Sequence, residues 1–312
     1  MTYTEIAIGV LKRGNTVCLS LRQSSQTFAG LWEFPGGKVK ADESIENALN
    51  REFLEELAVE TSEWKPLITI PWSYPSVAVH LNVFFTETFE GEPHGNEGQQ
   101  VAWTSIKELA TMSFPEANRG IINALLLADK LMISGNFENQ TDAFQRLQTA
   151  FDNGISLCQL RAKNLAEDDF LPLAAKAIKL AHDYQAKILL NGRPQLLELL
   201  PDADGIQLAS NVIFDYKTRP IAKDKLLGVS THSPAEIEQA LKIDADFILL
   251  SPIKETSSHP GVPGIGWQKF AEMVKAVPIP VFALGGMKPE DSEQAKKSGG
   301  QGIAAISGFW PN

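Results

Sequence analysis

Three acidic residues stand where a folded chain should avoid them. From Ser44 to Val59 the apolar residues Ile45, Ala48, Leu49, Phe53 and Leu57 recur at helical spacing, with Ser44 placed as the N-cap. With Ile45 at zero and about 100° per residue, the apolar stripe spans roughly −60° to +120°. Glu52 and Glu56 fall at roughly −20° and +20°, inside that stripe, and Glu55 lies at its edge. Buried unpaired carboxylates protonate or are expelled unless a cation neutralises them. A hard, oxygen-seeking ion such as Mg²⁺, with Mn²⁺ as the alternative, is the economical partner. A solvated acidic face is the plainer reading of a lone Glu-Glu pair. Just upstream, however, Gly-Leu-Trp-Glu-Phe-Pro-Gly-Gly-Lys at 30–38 offers paired glycines that permit a tight loop and close approach of backbone to a ligand. Metal, loop carbonyl and phosphate groups can then meet.

The order Gly37, Glu43, Arg51, Glu52, Phe53, Glu55, Glu56, Ala58, Val59 resembles the box of the Nudix hydrolases, with Ala58 replacing the closing glycine. Within that family the segment 4–127 is most similar to the MutT-like 8-oxo-dGTP diphosphatases, through Leu31–Lys38, residues 89–99 and Phe114-Pro-Glu-Ala-Asn118. The resemblance implies that the Gly36 carbonyl, Glu52, Glu55, Glu56 and Glu97 hold the metal, with Glu52 or Glu97 orienting the attacking water as general base. It further implies that Arg22 contacts phosphate, that Gly37 and Lys38 line the substrate, and that Phe34 and Asn118 read the base. Such a set suits a triphosphate. Metal neutralises its charge and acidifies water, a carboxylate takes the proton, and the amide of an Asn matches one purine edge. Arg51 reads as a structural partner that orients the acids.

A second group of unusual positions lies at strand ends in the other half: Gln159-Leu-Arg161-Ala-Lys163, Gly285-Gly286 and Ile306-Ser307-Gly308. At the carboxyl ends of barrel strands, glycines and backbone N–H groups suit a phosphate-bearing ligand. With Gly228-Val-Ser-Thr-His232 and Ala283-Leu-Gly-Gly-Met287, residues 129–312 resemble thiamine phosphate synthase and the related TenI thiazole tautomerases. The resemblance implies a phosphate site of Arg161, Lys163, Gly285, Gly286, Ile306 and Ser307, and a phosphorylated thiazole or pyrimidine as ligand. Departures matter as much. Asn191-Gly192 stands where the synthases have Asn-Asp, Ser210, Asn211 and Val212 where an aspartate follows, His259 where a lysine is expected, and Pro252 at the tautomerase histidine. Both magnesium-binding carboxylates of that family are missing.

These residues need elements to hold them. Apolar runs at 5–12 and 16–22 around Gly14-Asn15 predict an antiparallel pair, with further strands at 67–70, 77–86 and 100–103 and a helix at 116–127. That describes an α/β/α sandwich with a mixed sheet, residues 1–128. From residue 129 short buried strands alternate with amphipathic segments: 131–134, 157–160, 188–191, 206–209, 227–230, 247–251, 281–285 and 303–307. The expected architecture for 129–312 is a (β/α)8 TIM barrel lacking its last helix, with an open doubly wound sheet as the alternative.

The 312 residues exceed one usual domain. A net charge of −10 argues against a nucleic-acid polymer as partner. Neither a transmembrane run nor a signal peptide is evident, so a cytoplasmic protein without a membrane partner is expected. Cys18 and Cys158 read as buried thiols. Three functions stay open: hydrolysis of 8-oxo-dGTP, clean-up of a thiamine-related diphosphate beside a barrel activity, and a barrel that only binds or regulates.

Overall fold

The computed structural model describes residues 3–25, 27–162, 165–256, 261 and 263–311. It separates into two compact units, Met1–Leu126 with Lys275–Ile279, and Leu127–Val274 with Pro280–Asn312.

The first unit holds β1 (Thr4–Arg13), β2 (Thr16–Leu21), β3 (Trp32–Glu33), β4 (Gly36–Lys38), α1 (Ile45–Leu57), β5 (Glu60–Ser62), β6 (Lys65–Ser73), β7 (Ala78–Thr86), β8 (Thr88–Glu90), β9 (Val101–Ser105) and α2 (Arg119–Leu126). The main sheet runs β3-β2-β1-β7-β6, with β4 also on β1 and β9 on β2. It is mixed because β1 and β7 pair in parallel while β1 and β2 form the expected antiparallel hairpin. Alternation along β1 builds the sandwich. Ala7 and Leu11 join the core under α1, whereas Ile8 and Val10 join the core that includes Ile121 and Ala124 of α2. Gly9 lets α1 come close, since a Cβ there would sit 2.2 Å from the Phe53 ring.

Three expectations shift. The strand at 67–70 extends over all of β6, because Pro66 and Pro71 are tolerated on a strand that pairs only with β7. The helix at 116–127 opens as a 3-10 turn, Glu116–Asn118, before α2. The short strands β3, β4, β5 and β8 carry too few residues to show a period.

The second unit is a closed parallel barrel of β10 (Lys130–Ile133), β11 (Leu157–Leu160), β12 (Lys187–Asn191), β13 (Gly205–Leu208), β14 (Leu226–Thr231), β15 (Phe247–Leu250), β16 (Val281–Leu284) and β17 (Gly302–Ala305). Pairing of Leu131 with Ala304 closes it and rules out the open sheet. The crossovers carry α3 (Gln140–Asp152), α4 (Glu167–Asp183), α5 (Leu196–Leu199), α6 (Pro234–Lys242), α7 (Gly266–Val274) and α8 (Ser292–Lys297). After β13 there is a 3-10 turn, Ile213–Asp215, in place of a helix. Arg219 holds this irregular crossover by donating to the Lys225 carbonyl at 2.6 Å and to Asp246 at 2.7 Å. Leu131, Leu157, Leu189, Phe247 and Phe282 fill the barrel interior.

The end of α1 explains the residue that departs from the family pattern. Ala58 adopts φ +55°, with its N–H on the Leu54 carbonyl at 3.2 Å and that of Val59 on Phe53 at 3.3 Å. Glycine suits this left-handed position, where an L-side chain costs about 1–2 kcal/mol, partly offset by glycine's greater freedom when unfolded. Ala58→Gly should therefore raise the stability of the first unit by about 0.5–1 kcal/mol. An unchanged or lower urea midpoint would contradict this account of the cap.

Candidate active site

The acids are arranged by one cation. Arg51 donates to Glu43 through Nε (2.8 Å) and Nη2 (3.0 Å), to Glu52 through Nη1 (2.6 Å), more weakly to Glu55 (3.3 Å), and to the Lys38 carbonyl (3.2 Å). Its guanidinium and the Lys40 backbone N–H hold Glu43 down at about 2. Glu52 is only 14% exposed against 54% for Glu55, as the helical angles require. Gly37 makes room for Glu52, because a Cβ there would lie 2.3 Å from its carboxylate oxygen. Gly36 lies against β1 at φ +148°, where a Cβ would meet the Ala7 carbonyl oxygen at 2.1 Å.

Glu56 is the most perturbed carboxylate. Burial first, and then the charges of Glu52, Glu33 and Glu97, push it up to about 8, with the Gly36 backbone N–H working in the opposite direction. Glu97 reaches this group through a loop stapled to the end of α1. The His94 and Asn96 backbone N–H groups bond the Leu57 and Glu56 carbonyls at 3.2 and 2.9 Å, while the Asn96 and Gln99 side chains bond the Glu55 and Glu56 carbonyls, each at 2.9 Å. Carbonyls that a helix end leaves open are thus used to place a catalytic-type acid.

The donors suit a hard divalent ion, although no three acidic, histidine or cysteine side chains among the described residues form a ready cage. Arg51 draws Glu52 and Glu55 to itself, and Mg²⁺ commonly completes its shell with water and substrate phosphate.

Other expected residues are placed as follows. Arg22 pairs with Glu33 and donates to the Thr27 carbonyl at 2.7 Å, so a phosphate contact requires that it leave Glu33. Phe34 is buried in the core that includes Ile121 and Ala124, stacked on Phe114 at 5.7 Å. Asn118 is buried in its turn, its amide 3.4 Å from the Pro115 carbonyl. Lys38 is exposed. Sequence reasoning missed Glu33, Asn96 and Gln99, whose roles arise only from chain-distant neighbours.

In the barrel a cavity of about 680 Å³ opens at the carboxyl ends of the strands, and Arg161, Gly285, Gly286, Ile306 and Ser307 all line it. Lys163 and His259 lie outside the described residues. Both glycines need left-handed backbone, φ +98° and +67°, and a Cβ on either would come within 2.8 Å of Pro252 or Lys254. Burial lowers the pKa of Arg161, a cost that a bound anion would offset. The synthase-type magnesium does not fit here. Asn191 spends its amide on the Gln207 carbonyl at 3.2 Å, and Gly192, Ser210, Asn211 and Val212 supply no carboxylate. Cys18 and Cys158 are buried free thiols, as expected.

Fold and motifs define a Nudix domain followed by a closed eight-stranded parallel barrel, and comparison with known proteins agrees. Residues 7–124 match the NUDIX domain family and residues 131–309 match thiamine monophosphate synthase. The chain belongs to the thiamine monophosphate synthase family, and carries a Nudix domain ahead of the family's barrel. A relative from Aquifex aeolicus is 36% identical over 165 residues, covering 53% of this chain and 88% of its own length. The thiamine-phosphate synthase of Fusobacterium nucleatum is 30% identical over 172 residues, 55% of this chain and 83% of its own. A solved MutT structure, from work on the Aliivibrio salmonicida and Vibrio cholerae proteins, is 32% identical, covers 40% of this chain and 98% of its own, and has a TM-score of 0.36.

Glu56→Gln keeps shape and removes the charge that the cluster disfavours. Phosphoanhydride hydrolysis should fall at least about 100-fold while thermal stability without metal is retained or improved. Near wild-type turnover by this variant would remove Glu56 from the metal site.

Proposed function

We propose that the first unit is a Mg²⁺-dependent nucleoside triphosphate pyrophosphohydrolase that acts in the cytoplasm on 8-oxo-dGTP, releasing 8-oxo-dGMP and pyrophosphate and so limiting replication errors. The observation that carries this is Glu56, raised to about 8 among Glu52, Glu33 and Glu97. Such a cluster is stable in ionised form at neutral pH only with a cation in it. The Gly36 carbonyl, Glu52, Glu55, Glu56 and Glu97 would hold Mg²⁺, or Mn²⁺. Bound there, the ion would neutralise phosphate charge and lower the pKa of water.

The chain's own residues do the rest. Arg51 donates to Glu52 at 2.6 Å and so directs its carboxylate. Glu52 or Glu97 takes a proton from water as its oxygen bonds to the β-phosphorus, and the bond from that phosphorus to the α-bridging oxygen breaks. Asn118, held in a buried turn, offers a donor and an acceptor to one base edge. A buried reader of this kind rejects a mismatched edge because its own polar atoms would be left unpaired.

With Mg²⁺ and the full chain, kcat/KM should be highest for 8-oxo-dGTP in a panel that includes dGTP and thiamine diphosphate. Asn118→Ala should erode the 8-oxo-dGTP to dGTP ratio by about tenfold. A constant ratio would remove Asn118 as the base reader, and a preference for thiamine diphosphate would replace the nucleotide reading with clean-up of a thiamine-related compound.

For the barrel we propose a binding site for a small phosphorylated ligand without magnesium-dependent synthesis. Arg161, the left-handed Gly285-Gly286 turn and Ser307 around one cavity favour this. Expulsion of pyrophosphate would need a counter-charge that Gly192 and Val212 do not provide. Full-length protein given an aminopyrimidine diphosphate, a thiazole phosphate and Mg²⁺ should yield no thiamine phosphate, yet the thiazole phosphate should raise its melting temperature. Product that EDTA abolishes would overturn this proposal.

A further inference from the structure

We propose that Phe28 and Tyr74 form an aromatic platform on which the purine ring of the substrate stacks, and that this platform sets affinity for the base while the acids of α1 carry the chemical step. The proposal rests on the nucleoside triphosphate reading above.

The observations begin with an unrewarded conformation. Phe28 holds φ +62°, a region that bulky residues rarely enter, yet its ring stays 43% exposed. Core packing therefore does not compensate the strained backbone. The loop is nonetheless fixed: Arg22 Nε donates to the Thr27 carbonyl at 2.7 Å, the Gly30 N–H to Arg22 at 3.0 Å, and the Leu31 N–H to Phe28 at 3.2 Å. A strained residue held by its surroundings, with an apolar ring facing outward, points to a ligand that covers the ring.

The partner ring is Tyr74, 5.8 Å away and tilted by 43°. Its turn is closed by two hydrogen bonds with Val77, itself 42% exposed, so the patch is apolar beyond the two rings. The body of Tyr74 packs on the core, and its hydroxyl end feels the charges of Arg22 and Glu116. Arg22 is paired with Glu33, whose charge reaches Glu56, and Glu116 shares its 3-10 turn with Asn118. The loop that carries Phe28 is hydrogen-bonded to Arg22 on both sides of the ring, so the platform stands beside the side chain to which the nucleotide reading gives the phosphate.

An aromatic face grips any base by its π-surface and ignores the edge. Oxidised and unmodified guanine present the same face to it. Phe28 should therefore control how tightly purines bind, and Asn118 which purine is preferred.

Steady-state kinetics of the full chain with 8-oxo-dGTP and dGTP test this. Phe28→Ala should raise KM for both by about tenfold, with kcat within about twofold and the ratio of kcat/KM between them unchanged. Phe28→Trp should restore KM. An unchanged KM in Phe28→Ala, or a fall confined to kcat, would overturn the platform while the substrate reading stands. Wild-type protein that hydrolyses no nucleoside triphosphate would overturn the substrate reading, and the platform with it.

Discussion

The candidate nucleotide site depends on the fork of Arg51. A helix that turns Glu52 and Glu56 toward the core side, with Glu55 at the edge, would drive these carboxylates apart or force them to take protons. The planar guanidinium answers this with directed donors: it grips Glu43 in bidentate fashion, reaches Glu52 and Glu55, and ties them to the Lys38 carbonyl at the end of β4. A lysine in its place would neutralise charge without fixing these angles. Loop, strand end and helix are locked together by this one side chain, while Glu56 receives the Gly36 backbone N–H and forms no ion pair among the described residues.

Both units use glycines where the chain must pack closely at the candidate site. Gly36 lets β4 approach β1, Gly37 makes room for Glu52 against β4, and Gly285 and Gly286 pack the turn after β16 against Pro252 and Lys254. They differ in the charges they gather. The first unit gathers carboxylates, which bind an anion only through a metal. The barrel cavity is lined by Arg161 and Glu255, and Gly192, Ser210, Asn211 and Val212 supply no carboxylate after β12 and β13.

Much of this was legible in the sequence because it is periodic. The repeat from Ile45 to Leu57 defines α1, and the same wheel puts Glu52 inside and Glu55 at the edge, as their exposures show. The eight barrel strands follow from buried runs, and the glycines and Arg161 do converge on one cavity. What escaped is set by partners distant in the chain. The strands β3 and β4 exist because β2 and β1 lie beside them. Asn96 and Gln99 matter only because the end of α1 presents carbonyls to them. Arg22 reads as a free cation in the sequence, yet the fold gives it Glu33. The segment after β13 follows turn chemistry around Pro220 and Arg219, so no helix forms where alternation called for one.

The two prolines of β6 carry a consequence for solubility. An outer strand normally displays a row of unused N–H and C=O groups, a template on which another chain can add and aggregation can begin. Pro66 and Pro71 have no N–H to offer, and the bulge between Pro66 and Ile68 bends the same strand away from flat pairing. At the far side of the sheet β3 is only two residues long. Neither β6 nor β3 can serve as an extended template, so these two outer strands present no long flat edge that recruits a second copy.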